Sequence, residues 1–454
     1  MAIGNLDEEQ FVERLNQHLR PSTPIDSFEH LYGREQQLEQ IKQAFYSLGR
    51  HIFIYGDRGV GKTSLAKTAA YRHNPSSGEP IFSACGIGTT FVSILSDIVS
   101  QLITKNGILE GREVTKTSLG FKGASIEKTT ERKVGERAPI LDVNSAIDAL
   151  KNNCPASGDR MIIVVDEFDQ LPEKSDQVRF AEFIKQLGDQ KINVTFIFCG
   201  IGKSLDELLT AHASSYRYLE GIELPRLNYG GRWEIVDKSS EALGVLVNVD
   251  SRFRIAAISD GFPHYIHLVC EKLYWHLFNL EDAIAVATPE HYIEAVQSAC
   301  QSIESHLRKA YDKATMKDND VYQEVLWALA DHFELKRNVD AIYGSYLRIM
   351  EKRQKEPVDR KQFVSCLNNL KSPRHGSILY SDKRSWYEFS ENMVRGYVRL
   401  RAEQQSVRLA LEHEPAAEPK RLTVGPTKSR PVHSVQRPRL GADLYRGFGK
   451  GKKK

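Results

Sequence analysis

The hydrophobic positions of the chain fall into short continuous runs separated by stretches with a helical repeat. The runs occupy 51–55, 161–165 and 194–198, and each is followed by glycine, cysteine or acidic residues. Runs this short and apolar are typical of strands buried on both faces of a parallel sheet. Helical spacing predicts helices at 7–20, 34–48, 91–104 and from about 143. The alternation of the two patterns predicts an α/β core, a parallel sheet flanked by helices.

The first strand leads into a glycine-rich loop with the sequence GDRGVGKTS. Its spacing satisfies G-x-x-x-x-G-K-[ST] after a strand and before a helix, the context that makes this motif specific. Glycines let backbone N–H groups turn toward a β-phosphate, and the helix N-terminus faces the same anion. Lys62 is predicted to contact the β- and γ-phosphates, and Thr63 to hold Mg²⁺. The predicted nucleotide-binding residues of the loop are Gly56, Asp57, Arg58, Gly59, Val60, Gly61, Lys62, Thr63 and Ser64.

Two acidic residues, Asp166 and Glu167, end the apolar run at 161–165. Open α/β sheets bind ligands at this carboxyl end of their strands. We predict that Asp166 completes the magnesium site with Thr63, and that Glu167 orients the attacking water during hydrolysis. The next helix is predicted to start after Pro172 with Ser175 as its N-cap, which leaves Asp169 in the connecting loop.

The third strand ends in Cys199-Gly200-Ile201-Gly202. Many NTPases of this architecture carry Asn, Ser or Thr at this position as a γ-phosphate sensor. Lys203 and Ser204 are the nearest substitutes, and neither is assigned that role.

A segment with two alternating arms, 112–133, lengthens the core between the glycine-rich loop and the acidic strand. The alternation around Phe121-Lys122-Gly123 predicts a β-hairpin insertion. Its basic residues are interleaved with Ser and Thr: Arg112, Lys116, Lys122, Lys128, Arg132 and Lys133. This composition suits contacts to phosphates or to a neighbouring subunit, and it equally suits a solvent-exposed hairpin without a partner.

Taken in order, these segments resemble the AAA+/STAND group of P-loop ATPases, and most of all its origin-recognition/initiator-type and archaeal-ATPase-like members. The resemblance extends over roughly 25–400 and rests on LYGREQQLEQI (31–41), the two motifs above, SSYRYLEGIELPRL (214–227) and DGFPHYIHLVCEKL (260–273). It implies ATP and Mg²⁺ as cofactors and a homo-oligomer. Arg217 falls where the family has its arginine finger for a neighbouring γ-phosphate; the alternative is an exposed arginine beside a strand. His264 falls where initiator-type members carry the sensor-2 arginine, a departure that favours the STAND-like side.

The resemblance also divides the chain. Residues 1–228 form the predicted ATPase core and 229–315 a helical lid, with helices near 231–243, 251–259, 263–280 and 289–315. Residues 316–405 fit a C-terminal winged helix in which 358–370 is the candidate recognition helix. Two strands within 376–400 would carry a basic tip at Lys383 and Arg384. Such a module fits DNA binding, although in STAND proteins it often docks protein.

Charge distinguishes the last segment, 406–454, from the rest. Residues 414–454 hold 11 of the 62 basic residues and 3 of the 59 acidic ones, are interrupted by prolines and end in GKGKKK. They are predicted to be disordered, and either to contact DNA or another polyanion or to be solvated only.

Composition excludes several classes of protein. Hydrophobic residues make up 41% of the 454, enough for several cores, so the chain is not wholly disordered. No apolar run is long enough for a membrane helix, and the N-terminal sequence lacks the features of a secretion signal, so we expect a cytoplasmic protein with no membrane partner. The six cysteines are widely spaced without a CxxC pair, which indicates reduced packing residues.

These observations predict an ATP-hydrolysing molecular switch that assembles in an ATP-dependent way. One hypothesis places this assembly on DNA, as in replication initiation, transposition or mobile-element and antiviral defence. The other is a STAND-like signalling scaffold whose output is a protein effector.

Overall fold

The computed structural model describes residue 3 and residues 6–25, 27, 30–74, 79–105, 114–121, 124–131, 139–154, 160–211, 215–316 and 320–409. For 114–121, 124–131, 210, 211, 215 and 216 only the backbone is described. Of the predicted tail, 406–454, residues 406–409 are described and 410–454 lie outside the described residues.

The strands of the described residues are β1 His51–Tyr55, β2 Ile81–Ala84, β3 Val114–Phe121, β4 Ala124–Glu131, β5 Met161–Asp166, β6 Val194–Gly200, β7 Leu219–Glu223, β8 Leu246–Val247, β9 Val286–Ala287, β10 Arg337–Asn338, β11 Leu379–Tyr380 and β12 Trp386–Phe389. The helices are α1 Glu8–His18, α2 Glu35–Tyr46, α3 Lys62–His73, α4 Phe91–Lys105, α5 Val143–Asn153, α6 Lys174–Asp189, α7 Gly202–Ala211, α8 Ser215–Tyr218, α9 Tyr229–Leu243, α10 Val249–Ile258, α11 Pro263–Phe278, α12 Pro289–Ser302, α13 Ser305–Ala314, α14 Asp320–Ala330, α15 Val339–Arg353, α16 Arg360–Asn369 and α17 Asn392–Gln404.

A five-stranded parallel sheet in the order β2-β5-β6-β1-β7 forms the core. Its central strands are apolar on both faces: Ile52, Phe53 and Ile54 of β1 are all fully buried. In register, Ile52 pairs with Ile197 of β6 and with Glu220 of β7. The parallel sheet flanked by helices predicted from the apolar runs is therefore confirmed.

Different side chains cover the two faces of this sheet. On one face, edge-to-face phenylalanines join β1 and β6 to the helices α4 and α6; ring centroids of Phe168 and Phe180, for example, lie 5.1 Å apart. On the other face, α3 continues into a hydrophobic core shared with α9–α17. The glycine-rich loop therefore sits between the sheet and the C-terminal helices.

The C-terminal part is a helical lid, α9–α13, followed by helices around a small antiparallel sheet in the order β10-β12-β11. This is the architecture expected of a lid with a winged helix, and the recognition-helix candidate is α16. One prediction is wrong: the helix expected over 289–315 is two helices, because the buried Ile303 adopts an extended backbone (φ −62°, ψ 150°) between α12 and α13. The two strands expected within 376–400 are present as β11 and β12, paired antiparallel with Lys383 and Arg384 in the turn between them. The chain then continues into α17, a helix with mostly buried residues.

Two further details concern the ATPase core. The N-cap of α6 is Glu173, which makes no side-chain cap hydrogen bond, so the predicted cap at Ser175 is wrong. The hairpin predicted within 112–133 is present as β3 paired antiparallel with β4. Four of its six basic residues, Arg112, Lys122, Arg132 and Lys133, lie outside the described residues.

All six cysteines are free, and five of them are buried. Over the described ranges, no helix has both the length and the apolar character needed to cross a membrane.

Candidate nucleotide-binding site

The glycine-rich loop links β1 to α3 in a compact turn. Gly61 is the N-cap of α3 with φ +96°, a left-handed value that side chains rarely adopt, so glycine is required there. The Lys62 ammonium donates back to the carbonyls of Gly56 (3.0 Å) and Asp57 (2.9 Å). Burial lowers the pKa of Lys62 from its ordinary value. The loop therefore places a desolvated cation where the phosphate-binding motif predicts one.

Thr63 and the acidic strand meet directly. The Thr63 hydroxyl donates to Asp166 Oδ2 over 2.6 Å, and the other carboxylate oxygen accepts the N–H of Glu167 at 2.9 Å. The two predicted magnesium ligands, 103 residues apart in sequence, thus lie side by side. Magnesium binds proteins through few oxygen ligands and completes its shell with water and phosphate. The hydroxyl and carboxylate at this position fit such an ion.

Glu167 has a left-handed backbone, φ 51° and ψ 39°, and an exposed side chain. Non-glycine residues in this region are uncommon and often mark functional positions. The turn directs Glu167 away from the strand. Asp169 follows within a short 3₁₀ turn, and its Oδ2 lies 3.6 Å from an Arg58 guanidinium nitrogen.

Arg34, in the GRE segment, supports the loop from behind. It is 4% exposed and donates to the carbonyls of Val60 (2.8 Å) and Pro225 (2.7 Å), so it ties the loop to the segment after β7. Burial lowers the pKa of Arg34 to about 10. Its place in the GRE segment is the only signal by which the sequence could have pointed to this role.

A cavity of about 510 Å³ opens over the loop, within the range of small-molecule sites. Its walls include the predicted residues Arg58, Gly59, Gly61, Lys62, Thr63, Ser64, Asp166 and Glu167. The lid and the C-terminal region supply the other side, including His264, His267, Glu304, Glu391 and Met393. No sequence pattern indicates that residues near 391 belong to this cavity.

The start of α17 lies directly on the loop. Asn392 Nδ2 donates to Asp57 Oδ2 at 3.0 Å. Gly59 has a left-handed φ of +78°, and a Cβ built on it would lie 2.4 Å from Met393 Sδ, so any other residue there would be strained and would displace the methionine side chain. The Tyr265 hydroxyl of α11 donates to the Met393 carbonyl at 2.6 Å and holds the two helices together. Contacts across 335 residues therefore join the loop to the C-terminal helix.

The base of α17 is fixed by a buried acid, Asp260. Its carboxylate pairs with Arg226 (2.6 Å), Arg395 (3.3 Å) and Arg399 (2.9 Å). Burial would raise the pKa of Asp260, but the surrounding guanidinium groups lower it. Core, lid and C-terminal helix thus share one ion cluster.

Other predicted residues lie away from the cavity. Gly56, Asp57 and Val60 support the loop without lining the cavity walls. Arg217, on α8, is exposed and does not line this cavity, so its proposed action on a neighbouring subunit stays a prediction.

Among its described residues, β6 contributes no polar side chain to the cavity. Cys199 is fully buried, with its sulfur 3.8 Å from the Lys62 carbonyl, and burial raises the pKa of its thiol. Lys203 is exposed and lies 3.8 Å from Glu207, whereas Ser204 is buried. Neither Lys203 nor Ser204 lines the cavity.

Comparison with known proteins decides the family of the core. Residues 30–197 match the family model described as AAA ATPase domain. Residues 30–197 are an AAA ATPase domain. The enzyme class predicted from the two motifs, a nucleoside-triphosphate hydrolase, is confirmed, as is the AAA part of the resemblance. No curated protein sequence matches this chain significantly.

Solved structures extend the likeness beyond the AAA ATPase domain. The chain is similar to a Walker-type ATPase of Pyrococcus abyssi (TM-score 0.51, 13% identity, 83% of this chain and 99% of that chain). It is also similar to Cdc6p from Pyrobaculum aerophilum (TM-score 0.43, 15% identity, 89% and 99%) and to the ORC2 protein of Aeropyrum pernix (TM-score 0.45, 14% identity, 88% and 98%). At 13% identity, the likeness to the Pyrococcus abyssi ATPase supports the fold alone.

Proposed function

We propose that the chain is an ATP-binding and ATP-hydrolysing AAA+/STAND-type switch that assembles in an ATP-dependent way on DNA. The observation that carries the proposal is the cavity itself: the phosphate loop, the Asp166-Glu167 pair, the lid and α17 all line it. A ligand in this cavity would contact the core, the lid and the start of α17 together.

The chemistry assigned to the cavity follows from its side chains. Lys62 and the loop N–H groups bind the phosphates. Thr63 and Asp166 would hold Mg²⁺, which when bound neutralises phosphate charge. Glu167 orients and polarises the attacking water at the γ-phosphate. Arg217 is proposed to act on the cavity of a neighbouring subunit, which would make hydrolysis depend on assembly.

The nucleotide signal would reach the C-terminal region through α17. Asn392 bonds to the loop residue Asp57, and Met393 packs on Gly59. A phosphate group that shifts the loop must therefore shift the start of α17. Because Arg395 and Arg399 tie α17 to the buried Asp260, this displacement would be transmitted to the lid as a unit.

DNA is the proposed partner because exposed cations surround the winged helix. Lys361 of α16, Arg374, Lys383 and Arg384 are exposed. Arg360 instead pairs with Asp340, and the Lys371 ammonium lies 5.3 Å from the centre of the Tyr387 ring. The basic tail would add further backbone contacts.

A second candidate is a STAND-like scaffold whose output is a protein effector. The close contact between α17 and the phosphate loop favours it, since that contact couples nucleotide to the C-terminal region without requiring DNA. In that case the exposed cations would be ordinary solvated side chains.

The deciding experiment is a fluorescence-anisotropy titration of labelled duplex DNA with and without ATP. The matched proteins are the full chain, a chain ending at residue 409, and the full chain with Lys383→Ser and Arg384→Ser. We expect ATP to tighten binding, and both variants to weaken it while retaining ATP hydrolysis. Absence of DNA binding in every state, with hydrolysis intact, would favour the scaffold; absence of hydrolysis would refute the switch.

A further inference from the structure

One wall of the nucleotide cavity is apolar and lies beside the phosphate loop. Its apolar residues are Pro21, Pro24 and Ile25 of the segment 21–25, which also contributes Ser22 and Thr23, and Pro263 at the start of α11. The Ile25 N–H donates to the Ser64 hydroxyl at 3.0 Å, so this wall borders the loop directly. The proline and isoleucine side chains of this wall suit a nucleobase better than a phosphate.

His264 presents a hydrogen-bond acceptor at this wall. Its Nδ1 lies 2.9 Å from the Pro21 carbonyl oxygen, which can only accept, so Nδ1 carries the proton. In the neutral ring Nε2 then has a lone pair and no hydrogen. That atom is buried and has no hydrogen-bond partner among the described residues. A lone pair cannot donate to a phosphate oxygen, but it can accept from an amino group.

His267 lies one helical turn further along α11 and also lines the cavity. It is 2% exposed, and within the described chain neither ring nitrogen has a hydrogen-bond partner. Burial, with the neighbouring His264, lowers the pKa of His267 to about 3, so the ring is neutral at physiological pH. A neutral imidazole offers one donor and one acceptor. Buried polar groups of this kind normally have partners, which points to a ligand.

We propose that this histidine pair recognises a 6-aminopurine base: His264 Nε2 accepts from the exocyclic amino group, and a His267 N–H donates to a ring nitrogen. The inference rests on the proposed ATP binding and adds to it the side chains that recognise the base. Guanine would place a carbonyl oxygen, an acceptor, against the same lone pair. His264 falls where initiator-type members carry the sensor-2 arginine, and this proposal assigns the histidine to the base.

The test compares two nucleotides that differ only in the amino group, ADP and purine riboside 5′-diphosphate, by calorimetric titration of the full chain. Neither nucleotide has a γ-phosphate, so hydrolysis does not disturb the titration. Loss of one buried hydrogen bond should weaken wild-type binding by about tenfold or more. In His264→Phe this ratio should fall to near one, while His264→Asn, which keeps an acceptor, should retain part of it. His267→Leu should weaken both ligands alike and keep the ratio.

A non-hydrolysable β,γ-imido analogue of ATP separates base from phosphate recognition. The ratio of its affinity to that of ADP should be the same in wild type and His264→Phe. If that ratio changes and the base ratio does not, His264 reads the phosphate and the proposal fails. Equal wild-type affinity for the two diphosphates also overturns it, whether or not the variants fold. Failure of wild type to bind any nucleotide would overturn the proposed function as well.

Discussion

The left-handed backbone of Glu167 makes a prediction that inverts an ordinary rule of protein stability. Glycine normally destabilises a folded position by about 0.5–1 kcal/mol relative to alanine. A Cβ in the left-handed region, however, costs about 1–2 kcal/mol. At φ 51° and ψ 39° this second effect is larger, so Glu167→Gly should be more stable than Glu167→Ala by about 0.5–1 kcal/mol.

Comparing these two variants isolates the effect of the backbone conformation on stability. Both variants delete the same exposed carboxylate, and both keep the backbone N–H that binds Asp166. Differences in thermal midpoint, measured calorimetrically without nucleotide, report the result; 1 kcal/mol corresponds to about 2–4 °C for a domain of 150–250 residues. The control is Glu182 on α6, where glycine should be less stable than alanine by about 1 kcal/mol.

If Glu167→Gly is the less stable variant while Glu182 behaves normally, the backbone at 167 is not left-handed, and the orientation described for the Glu167 carboxylate is wrong. Both Glu167 variants should lose ATP hydrolysis, whatever their stability. Hydrolysis at the wild-type rate in either would remove Glu167 from the mechanism.

Five other changes test the remaining assignments. Lys62→Ala should abolish nucleotide binding, whereas Glu167→Gln should bind ATP and fail to hydrolyse it, as direct binding and turnover assays would distinguish. Arg217→Ala should lower turnover by about 10³–10⁵-fold without loss of ATP binding. Mixing Arg217→Ala subunits with Lys62→Ala subunits should restore part of the activity. Turnover independent of protein concentration would contradict an arginine supplied in trans. Gly59→Ala should be destabilised by about 1–3 kcal/mol in urea denaturation, since Gly59 has a left-handed φ of +78° and the added methyl group would overlap the Met393 side chain. Deleting 414–454 should flatten the log–log salt dependence of DNA affinity by about 0.9 for each phosphate that the tail neutralises, and an unchanged slope would mean that the tail is only solvated.

The chemistry of the site could be predicted where it depends on local sequence. The phosphate loop and the Asp166-Glu167 pair each follow an apolar run, and parallel strands bring their carboxyl ends to one edge. The contact between Thr63 and Asp166 is therefore a consequence of topology that the two motifs already contain. Arg217 and the tail depend on a neighbouring subunit or a partner, so their roles stay predictions.

Features that depend on distant contacts could not be predicted. Arg34, Asp260 and His267 are ordinary residues in the sequence; their roles arise because folding buries them beside particular carbonyls, guanidinium groups or cavity walls. The break at Ile303 has the same origin, since apolar spacing continues through it and only the buried extended backbone reveals it. Helical periodicity identifies which face is buried, but not what covers it.

The position of α17 also determines how the chain can be divided. Glu391 and Met393 wall the cavity, and Val407 and Leu409 are buried beyond the end of the helix. An expression fragment cut at the limits of the AAA ATPase domain would therefore contain the phosphate loop with half its surroundings missing and an apolar surface uncovered. Fusions and affinity tags belong after residue 409, and a protease that cuts between β12 and α17 should disable the nucleotide site from a distance of more than 300 residues along the chain.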